Sequence, residues 1–301
     1  MKLIKNICAF LIFSVSFQVH AFSVLTVSED TTTRTLSYTS YSDYVPFGYE
    51  EIVFREGPKL SGVFRQTLDD IFPDKKYNMI FKHYPSISDA IFDMQDGKTN
   101  VFLGAFYSTE MFKDLDFVFP ALLNNPIHLM MLPDKISKVK RIDDLQTLKG
   151  IYVSNENFSD YMKQTFSDLN MTEVEDVDKA YESLLVGDSD FILGSYYYHY
   201  IKLVERGLKG YITFSSRPLW NMPMFFALSK NLNERKDVHE YFRQIASGET
   251  FRTKLLENIK KFIEEKEAEY SGVVPPMYVR QSQDNEFTPA DEATNENKEP
   301  N

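Results

Sequence analysis

The chain has 301 residues, of which 43% are apolar and 26% are charged, and its formal net charge is −11. A sequence this apolar can bury a core in one large or two small domains, which excludes a disordered protein. The excess of acidic side chains argues against nucleic acids and anionic lipid surfaces as partners, because both carry negative charge.

The first 21 residues have the pattern of a secretory signal peptide. Lys2 and Lys5 precede an apolar run from Ile7 to Phe17, and Val19-His20-Ala21 supplies small or apolar residues where a signal peptidase cuts. The run is shorter than the ~20 residues that span a membrane, which favours cleavage over the alternative of an uncleaved anchor. Cleavage removes two lysines and changes the net charge from −11 to −13. We therefore expect a secreted, periplasmic product.

The only cysteine, Cys8, lies inside this predicted signal and too far from its cleavage site to carry a lipid. The mature chain would then contain no thiol, which excludes disulfides, cysteine-ligated metals and a cysteine nucleophile. The five histidines are scattered without metal-binding spacing. Serine-hydrolase elbows and nucleotide-binding glycine loops are absent as well. The sequence therefore predicts no metal, no cofactor and no enzyme.

The mature chain begins with two alternating segments rich in Thr and Tyr, Ser23 to Val27 and Arg34 to Ser40. Each is predicted as a strand, although the two could also form a hairpin with each other. An aromatic stretch from Tyr38 to Tyr49 follows, in which Tyr44 and Phe47 stand among turn-forming residues. Ordinary core packing is the competing interpretation for any one of these rings. As a cluster in a loop, they favour a ligand site.

Helix and strand patterns then alternate. The predicted elements are a helix within Leu60 to Ile71 with a serine N-cap, a strand from Tyr77 to Tyr84, a helix from Ser86 to Met94 and a buried strand from Val101 to Leu103. Repeats of this length predict parallel βαβ units. Gly104 to Glu110 is predicted as the loop after the last strand, and ligands in open α/β sheets bind at such loops because free backbone N–H groups meet there.

The second part of the chain continues the alternation. The predicted elements are strands at Leu122–Leu132, Ile151–Ser154, Phe191–Ser195, Tyr211–Phe214 and Pro218–Leu228, and helices at Asp178–Leu185, from Tyr196, at Glu234–Ala246 and at Thr250–Lys266. Residues 281–301 hold six acidic residues and one lysine, so we expect the tail, residues 271–301, to be disordered.

The segment DGKTNVFLGAFYSTEMFKDLDFVFP, which ends at Pro120, resembles a motif of type 2 periplasmic solute-binding proteins. In the group of this family that serves polar-amino-acid ABC transporters, the motif usually reads G-x-x-D-x-(apolar)-T-x-T-x-E-R-x-x-x-(apolar)-D-F-S-x-P-Y. Two further blocks match in the right order: Ile142 to Val153 resembles D-L-x-G-x-x-V-x-V, and Asp178 to Ser195 resembles A-x-x-A-L-x-x-G-(R/K)-x-D-A-(apolar)-x-x-D. The resemblance extends from Leu36 to about Lys261.

The resemblance implies an α/β, two-lobed type 2 periplasmic-binding-protein fold with two hinge crossovers. The first lobe would comprise residues 22–122 and 220–270, and the second lobe residues 123–219. The chain would cross between them at about residues 122–127 and 216–224. Such a hinge permits the lobes to close on a small ligand.

The resemblance stops at the residues that bind an amino acid in this family. The family's Arg, which holds the α-carboxylate of the ligand, falls on Met111, and the Asp that holds the ammonium group falls on Ser195. Neither Met nor Ser can supply the missing charge. We therefore expect neutral side chains in these places and poor binding of any free standard amino acid.

The predicted ligand site combines aromatic rings for stacking with hydroxyl, amide and helix N-terminal groups for hydrogen bonds. Its candidate residues are Tyr44, Phe47, Phe106, Tyr107, Ser108, Met111, Asn155, Ser159, Ser195 and Trp220. The resemblance implies a periplasmic solute-binding protein that captures a small polar or aromatic-bearing molecule for an ABC permease or a membrane receptor. We expect it to be a monomer.

Two other functions stay open at this point. The first is an enzyme on the same scaffold, similar to dehydratases of this fold, in which Glu110 would act as a general acid. Glu110 is equally suited to the start of a helix without any ligand. The second is a sensory or regulatory protein that binds no ligand and contacts a membrane enzyme through the acidic tail after Gly272.

Overall fold

The computed structural model describes residues 34–55, 57–71, 76–156, 158 and 160–276, apart from the side chains at positions 110, 160, 161 and 165. The predicted signal peptide, the predicted strand Ser23 to Val27 and the acidic tail from residue 281 lie outside these ranges. Among the helices of the described chain, none combines the length and the apolar character needed to cross a membrane.

The first part of the described chain alternates strands with amphipathic helices. Its elements are β1 (Arg34–Thr39), β2 (Asp43–Tyr44), β3 (Gly48–Val53), β4 (Gly57–Ser61), α1 (Val63–Ile71), β5 (Tyr77–Phe81), α2 (Ile87–Gln95), β6 (Val101–Phe106) and α3 (Thr109–Asp114). Ser86 caps α2, because its hydroxyl accepts a hydrogen bond from the backbone N–H of Asp89. Ser61, the predicted cap of α1, instead ends β4, and α1 begins two residues later.

The remaining elements repeat this alternation. They are β7 (Leu115–Met131), α4 (Pro133–Ile136), a 3₁₀ turn (Ile142–Leu145), β8 (Lys149–Val153), a second 3₁₀ turn (Ser154–Glu156), α5 (Asp160–Thr165), β9 (Asn170–Val174), α6 (Val177–Val186), β10 (Phe191–Ser195), α7 (Tyr196–Glu205), β11 (Thr213–Phe214), β12 (Trp220–Ser229), α8 (Arg235–Ser247) and α9 (Glu249–Glu269).

The main sheet has two parallel flanks joined by an antiparallel centre. In the described chain its strand order is β5-β1-β6-β12-β7-β10-β8-β9, with β11 paired to β7. On one flank β1 is parallel to β5 and β6, and on the other β8 is parallel to β9 and β10. These pairings confirm the predicted parallel βαβ units. A separate small sheet, β2-β3-β4, lies between β1 and α1 in the sequence.

The centre of the sheet is the ladder between β7 and β12. β7 is 17 residues long, and its register with β12 runs from Leu115 opposite Ser229 to Ile127 opposite Trp220. Beyond that point β7 pairs with β10 instead, with Ile127 opposite Ser195. The two strands therefore hold both parallel flanks in one hydrogen-bonded sheet. The segments 122–127 and 216–224, predicted to cross between lobes, lie in or next to this ladder.

The predicted loop from Gly104 to Glu110 is shorter than expected. β6 continues through Gly104 to Phe106, and α3 begins at Thr109, so that only two residues separate the strand from the helix. β6 continues because Gly104 forms a bulge: Phe226 pairs with Leu103 and Phe225 with Ala105, which leaves Gly104 without a partner on β12. Its φ of +78° is a backbone conformation that favours glycine.

We expect the substitution Gly104→Ala to lower the free energy of unfolding by about 2 to 5 kcal/mol. An added Cβ would lie 2.3 Å from Cε2 of Phe64, whose ring is fully buried and cannot move aside. Gly210→Ala is the matched control, because Gly210 also has a positive φ but no atom within 4 Å of the added Cβ. Urea unfolding of both variants measures the difference, and an equal loss in the two would show that Gly104 is under no packing constraint.

Candidate functional site

Three of the predicted aromatic residues form one buried cluster. Tyr44, at the end of β2, packs edge-on against Phe106, with the ring centres 5.4 Å apart. Its ring is more nearly parallel to that of Phe47, with the ring centres 6.0 Å apart. Another neighbour is Tyr198 of α7, whose ring is almost parallel to that of Tyr44, with the ring centres 5.3 Å apart. Tyr198 belongs to the helix that follows β10, so the cluster joins the two parallel flanks of the main sheet.

The hydroxyl of Tyr44 is held by polar groups from two other segments. It donates a hydrogen bond of 2.9 Å to Oε2 of Glu156, which ends the 3₁₀ turn after β8. It also accepts one of 3.1 Å from Nδ2 of Asn125 in β7. Tyr44, Asn125 and Glu156 have no exposed surface. A buried tyrosine thus bridges an amide from the central ladder and a carboxylate from the far flank.

Ser195, at the carboxyl end of β10, completes the arrangement. Its backbone N–H donates to Oε1 of Glu156 at 2.9 Å, and its hydroxyl donates to Oδ1 of Asn125 at 2.9 Å. His199 places Nε2 2.8 Å from the same Oε1, although without the alignment of a hydrogen bond. We refer to Tyr44, Asn125, Glu156, Ser195 and His199 as the Tyr44 network.

The proton positions in this network follow from the partners. Burial and the Glu156 carboxylate raise the pKa of Tyr44 well above its ordinary value, so its hydroxyl stays protonated and acts as the donor to Glu156. On the other side of His199, the hydroxyl of Tyr181 lies 2.8 Å from Nδ1. When Tyr181 donates to Nδ1, the ring proton sits on Nε2 and faces Glu156.

Gly194 leaves room for the close approach of His199 to Glu156. A Cβ at this position would lie 2.1 Å from Nε2 of His199 and 2.7 Å from Oε1 of Glu156. Any larger residue would therefore push the imidazole and the carboxylate apart. The glycine before Ser195 is thus part of the site, because only a residue without a side chain lets this pair form.

Asn155 makes a second bridge beside the network. Its Nδ2 donates to the hydroxyl of Tyr198 at 2.7 Å and lies 3.4 Å from the backbone carbonyl oxygen of Asp43. Asn155 belongs to the same 3₁₀ turn as Glu156, whereas Asp43 precedes Tyr44 in β2. The turn after β8 and the strand β2 are therefore linked twice, through Asn155 and through Glu156.

The other predicted site residues make their contacts elsewhere, and Ser159 lies outside the described residues. Tyr107 is 41% exposed and packs on Phe117 and Phe225 rather than on the Tyr44 cluster. Ser108 is the N-cap of α3 and accepts from the backbone N–H of Met111, which is largely buried. Trp220 packs edge-on against Phe166, which directly follows α5, with the ring centres 4.9 Å apart. A role for these residues in ligand binding stays a prediction.

A carboxylate that was not among the predicted site residues lies next to Ser195, because Oε1 of Glu156 accepts from its backbone N–H at 2.9 Å. That Ser195 and Met111 replace the charged residues of the family motif stays a prediction. The sequence did not indicate Glu156, because its place in the network depends on contacts with Tyr44 and Ser195, which are distant in the chain. Two signals were available: Glu156 directly follows the candidate Asn155, and Asn125 interrupts an otherwise apolar strand.

The network is not built for a metal. Within the described residues, no group of three or more His, Cys, Asp or Glu side chains could hold a metal ion. Glu156 instead has donors on both oxygens, namely the Tyr44 hydroxyl and the Ser195 backbone N–H, with His199 Nε2 beside them. This surrounding is suited to an ionised carboxylate, which only accepts hydrogen bonds.

We expect Tyr44→Phe to lower the free energy of unfolding by about 1 to 3 kcal/mol, because it leaves buried groups of Asn125 and Glu156 without their partner. The stacking on Tyr198 would be kept. Tyr152→Phe is the matched control, since Tyr152 also donates to a carboxylate, that of Glu173 at 2.6 Å, but at an exposed position. Urea unfolding compares the two variants, and an equal effect would contradict the importance of burial at Tyr44.

Comparison with known proteins finds likeness in structure only. No protein-family model matches this chain, and no curated protein matches it. A putative ABC-transporter binding component from Wolinella succinogenes, solved with lysine, is similar with a TM-score of 0.60 and 16% identity, over 74% of this chain and 94% of that one. The periplasmic VFT2 domain of BvgS from Bordetella pertussis is similar with a TM-score of 0.58 and 12% identity, over 75% of this chain and 92% of that one.

A histidine kinase sensor domain is similar as well, with a TM-score of 0.52 and 16% identity, over 81% of this chain and 99% of that one. These likenesses cover nearly the whole length of each solved domain, and at such low identity they show the fold. The chain has the mixed α/β, two-lobed fold of periplasmic binding proteins, which confirms the fold class predicted from its sequence motifs.

Proposed function

We propose that this chain is a periplasmic solute-binding protein. It captures a small polar or aromatic-bearing molecule between two lobes, residues 22–122 with 220–270 and residues 123–219, and presents it to an ABC permease or a membrane receptor. The similar solved structures support this proposal, because they include a transporter binding component, a periplasmic domain and a sensor domain. All of these share the fold with this chain.

One observation carries the proposal: a buried polar network joins residues from both proposed lobes. Tyr44 belongs to the first proposed lobe, whereas Glu156 and Ser195 belong to the second. Glu156 lies just after β8, and Ser195 is the last residue of β10. Open α/β sheets bind ligands at the carboxyl ends of their strands. Polar groups this far from solvent are costly unless they serve a specific arrangement.

The network also indicates which ligand chemistry is suitable. The Tyr44 hydroxyl occupies the position from which a ligand would donate a hydrogen bond to Glu156, so a ligand with an ammonium, amide or hydroxyl donor competes with it directly. The rings of Phe106 and Tyr198, which pack against Tyr44, favour a ligand with a flat or apolar body. No Arg or Lys contributes to the described network, so an α-carboxylate would lack a cationic partner there.

We therefore expect weak or no binding of free glutamine, arginine or histidine. Isothermal titration calorimetry of the purified mature protein tests this, and a dissociation constant in the micromolar range for any of the three would contradict it. The natural ligand is sought in parallel by mass spectrometry of small molecules released when freshly purified protein is denatured.

A pair of variants then tests the place of binding. The released molecule should raise the melting temperature of the wild-type protein, and Glu156→Gln should remove this shift because the amide cannot accept the same donors at both positions. Glu173→Gln is the control, as Glu173 also accepts from a tyrosine but lies on the surface. A shift that survives Glu156→Gln unchanged would place the ligand elsewhere.

A second candidate function is supported by a specific observation. In the Tyr44 network, every polar side-chain atom except Nε2 of His199 has a hydrogen-bond partner from the chain itself. The side chains of Tyr44, Glu156, Ser195 and His199 are fully buried. A protein that fills its own site could act as a sensory or regulatory partner without any ligand.

Small-angle scattering separates the two functions. The radius of gyration of a solute-binding protein should increase when its ligand is removed, whereas that of a self-filled regulator should stay the same.

A further inference from the structure

A cleft of about 510 Å³ opens on the surface away from the Tyr44 network, and none of the network residues lines it. One wall is formed by residues 136–142, which connect α4 to the first 3₁₀ turn, and the other by residues 214–219, which connect β11 to β12. Its floor includes the buried side chains of Leu129 and Leu145. A volume of this size is typical of sites for small molecules.

The charge of this cleft is opposite to that of the protein. Lys140, Arg141 and Arg217 line it, and no carboxylate does, although the chain as a whole carries a net charge of −11. Arg141 is partly neutralised by an ion pair with Asp143 at 2.9 Å. Lys140 and Arg217 have no ion pair within the described residues. The cleft therefore offers at least two cationic groups above an apolar floor.

The backbone segments that carry these cations are anchored by hydrogen bonds. The carboxylate of Asp144 accepts from the backbone N–H groups of Lys140 and Arg141, at 2.8 and 2.9 Å. On the opposite wall, the hydroxyl of Ser215 donates to the backbone carbonyl of Arg217 at 2.8 Å. The Ser215 backbone is tied to β7 in turn, because its N–H donates to the carbonyl of Leu129 at 2.7 Å. Such anchoring lowers the entropy lost on binding.

We infer that this cleft is a binding site for a small amphipathic anion, a molecule with one carboxylate, sulfonate or phosphate group on an apolar body. The anionic group would lie between Lys140 and Arg217, and the apolar body would cover Leu129, Leu145 and Phe214. This site is independent of the proposed solute site, because the two have no residue in common.

Fluorescence titration of the full mature chain with anilinonaphthalene sulfonate tests the inference, since this probe carries one sulfonate on two aromatic groups. The double variant Lys140→Glu with Arg217→Glu should weaken binding at least about tenfold. The control variant Lys179→Glu with Lys236→Glu makes the same change of net charge at exposed lysines that do not line the cleft, and it should bind the probe as the wild type does. Circular dichroism checks that both variants are folded.

A competition experiment tests the ligand class. Decanoate should displace the probe from the wild-type protein, whereas decanol, which has the same apolar chain without the charge, should displace it at least about tenfold less well. Equal weakening in the two double variants would overturn the inference, because binding would then follow net charge alone. Unchanged binding in the cleft variant, or equal competition by decanoate and decanol, would overturn it as well.

Discussion

The carboxylate of Glu156 lies out of contact with solvent, where an unpaired charge would cost several kcal/mol. It accepts hydrogen bonds from donors that are far apart in the chain. The hydroxyl donor belongs to Tyr44, which lies 112 residues earlier, and the backbone N–H donor belongs to Ser195, which lies 39 residues later. Each such bond to a charged group contributes about 1.5 to 3 kcal/mol. Both flanks of the sheet therefore contribute donors to one carboxylate that would otherwise be buried without partners.

The ladder between β7 and β12 makes this arrangement possible. Because β7 is long enough to pair with β12 along one part and with β10 beyond it, the flank that carries Tyr44 and the flank that carries Ser195 belong to one sheet. Asn125 lies on β7 near the change of partner. Its side chain can therefore reach toward both flanks, which no residue on a peripheral strand could do.

Local patterns in the sequence predicted much of this fold. Apolar periodicity indicated α2, and the repeated strand-helix-strand spacing indicated parallel flanks, because both features depend on residues close in the chain. The bulge at Gly104 could not be predicted in this way, since it depends on the register of β12, more than a hundred residues later. The same limit applies to the site. Tyr44 was predicted from an aromatic cluster in a loop and Ser195 from a motif position, whereas Glu156 and His199 become part of the site only through contacts across the fold.

The amide of Asn125 has one further consequence. Its two ends point to different flanks, with Nδ2 engaged by Tyr44 and Oδ1 by Ser195, and both contacts are sealed from water. Loss of either contact would leave one polar end of this buried amide without a partner, at a cost of about 1 to 3 kcal/mol. One small side chain at the centre of the sheet therefore penalises any disturbance on either side of it.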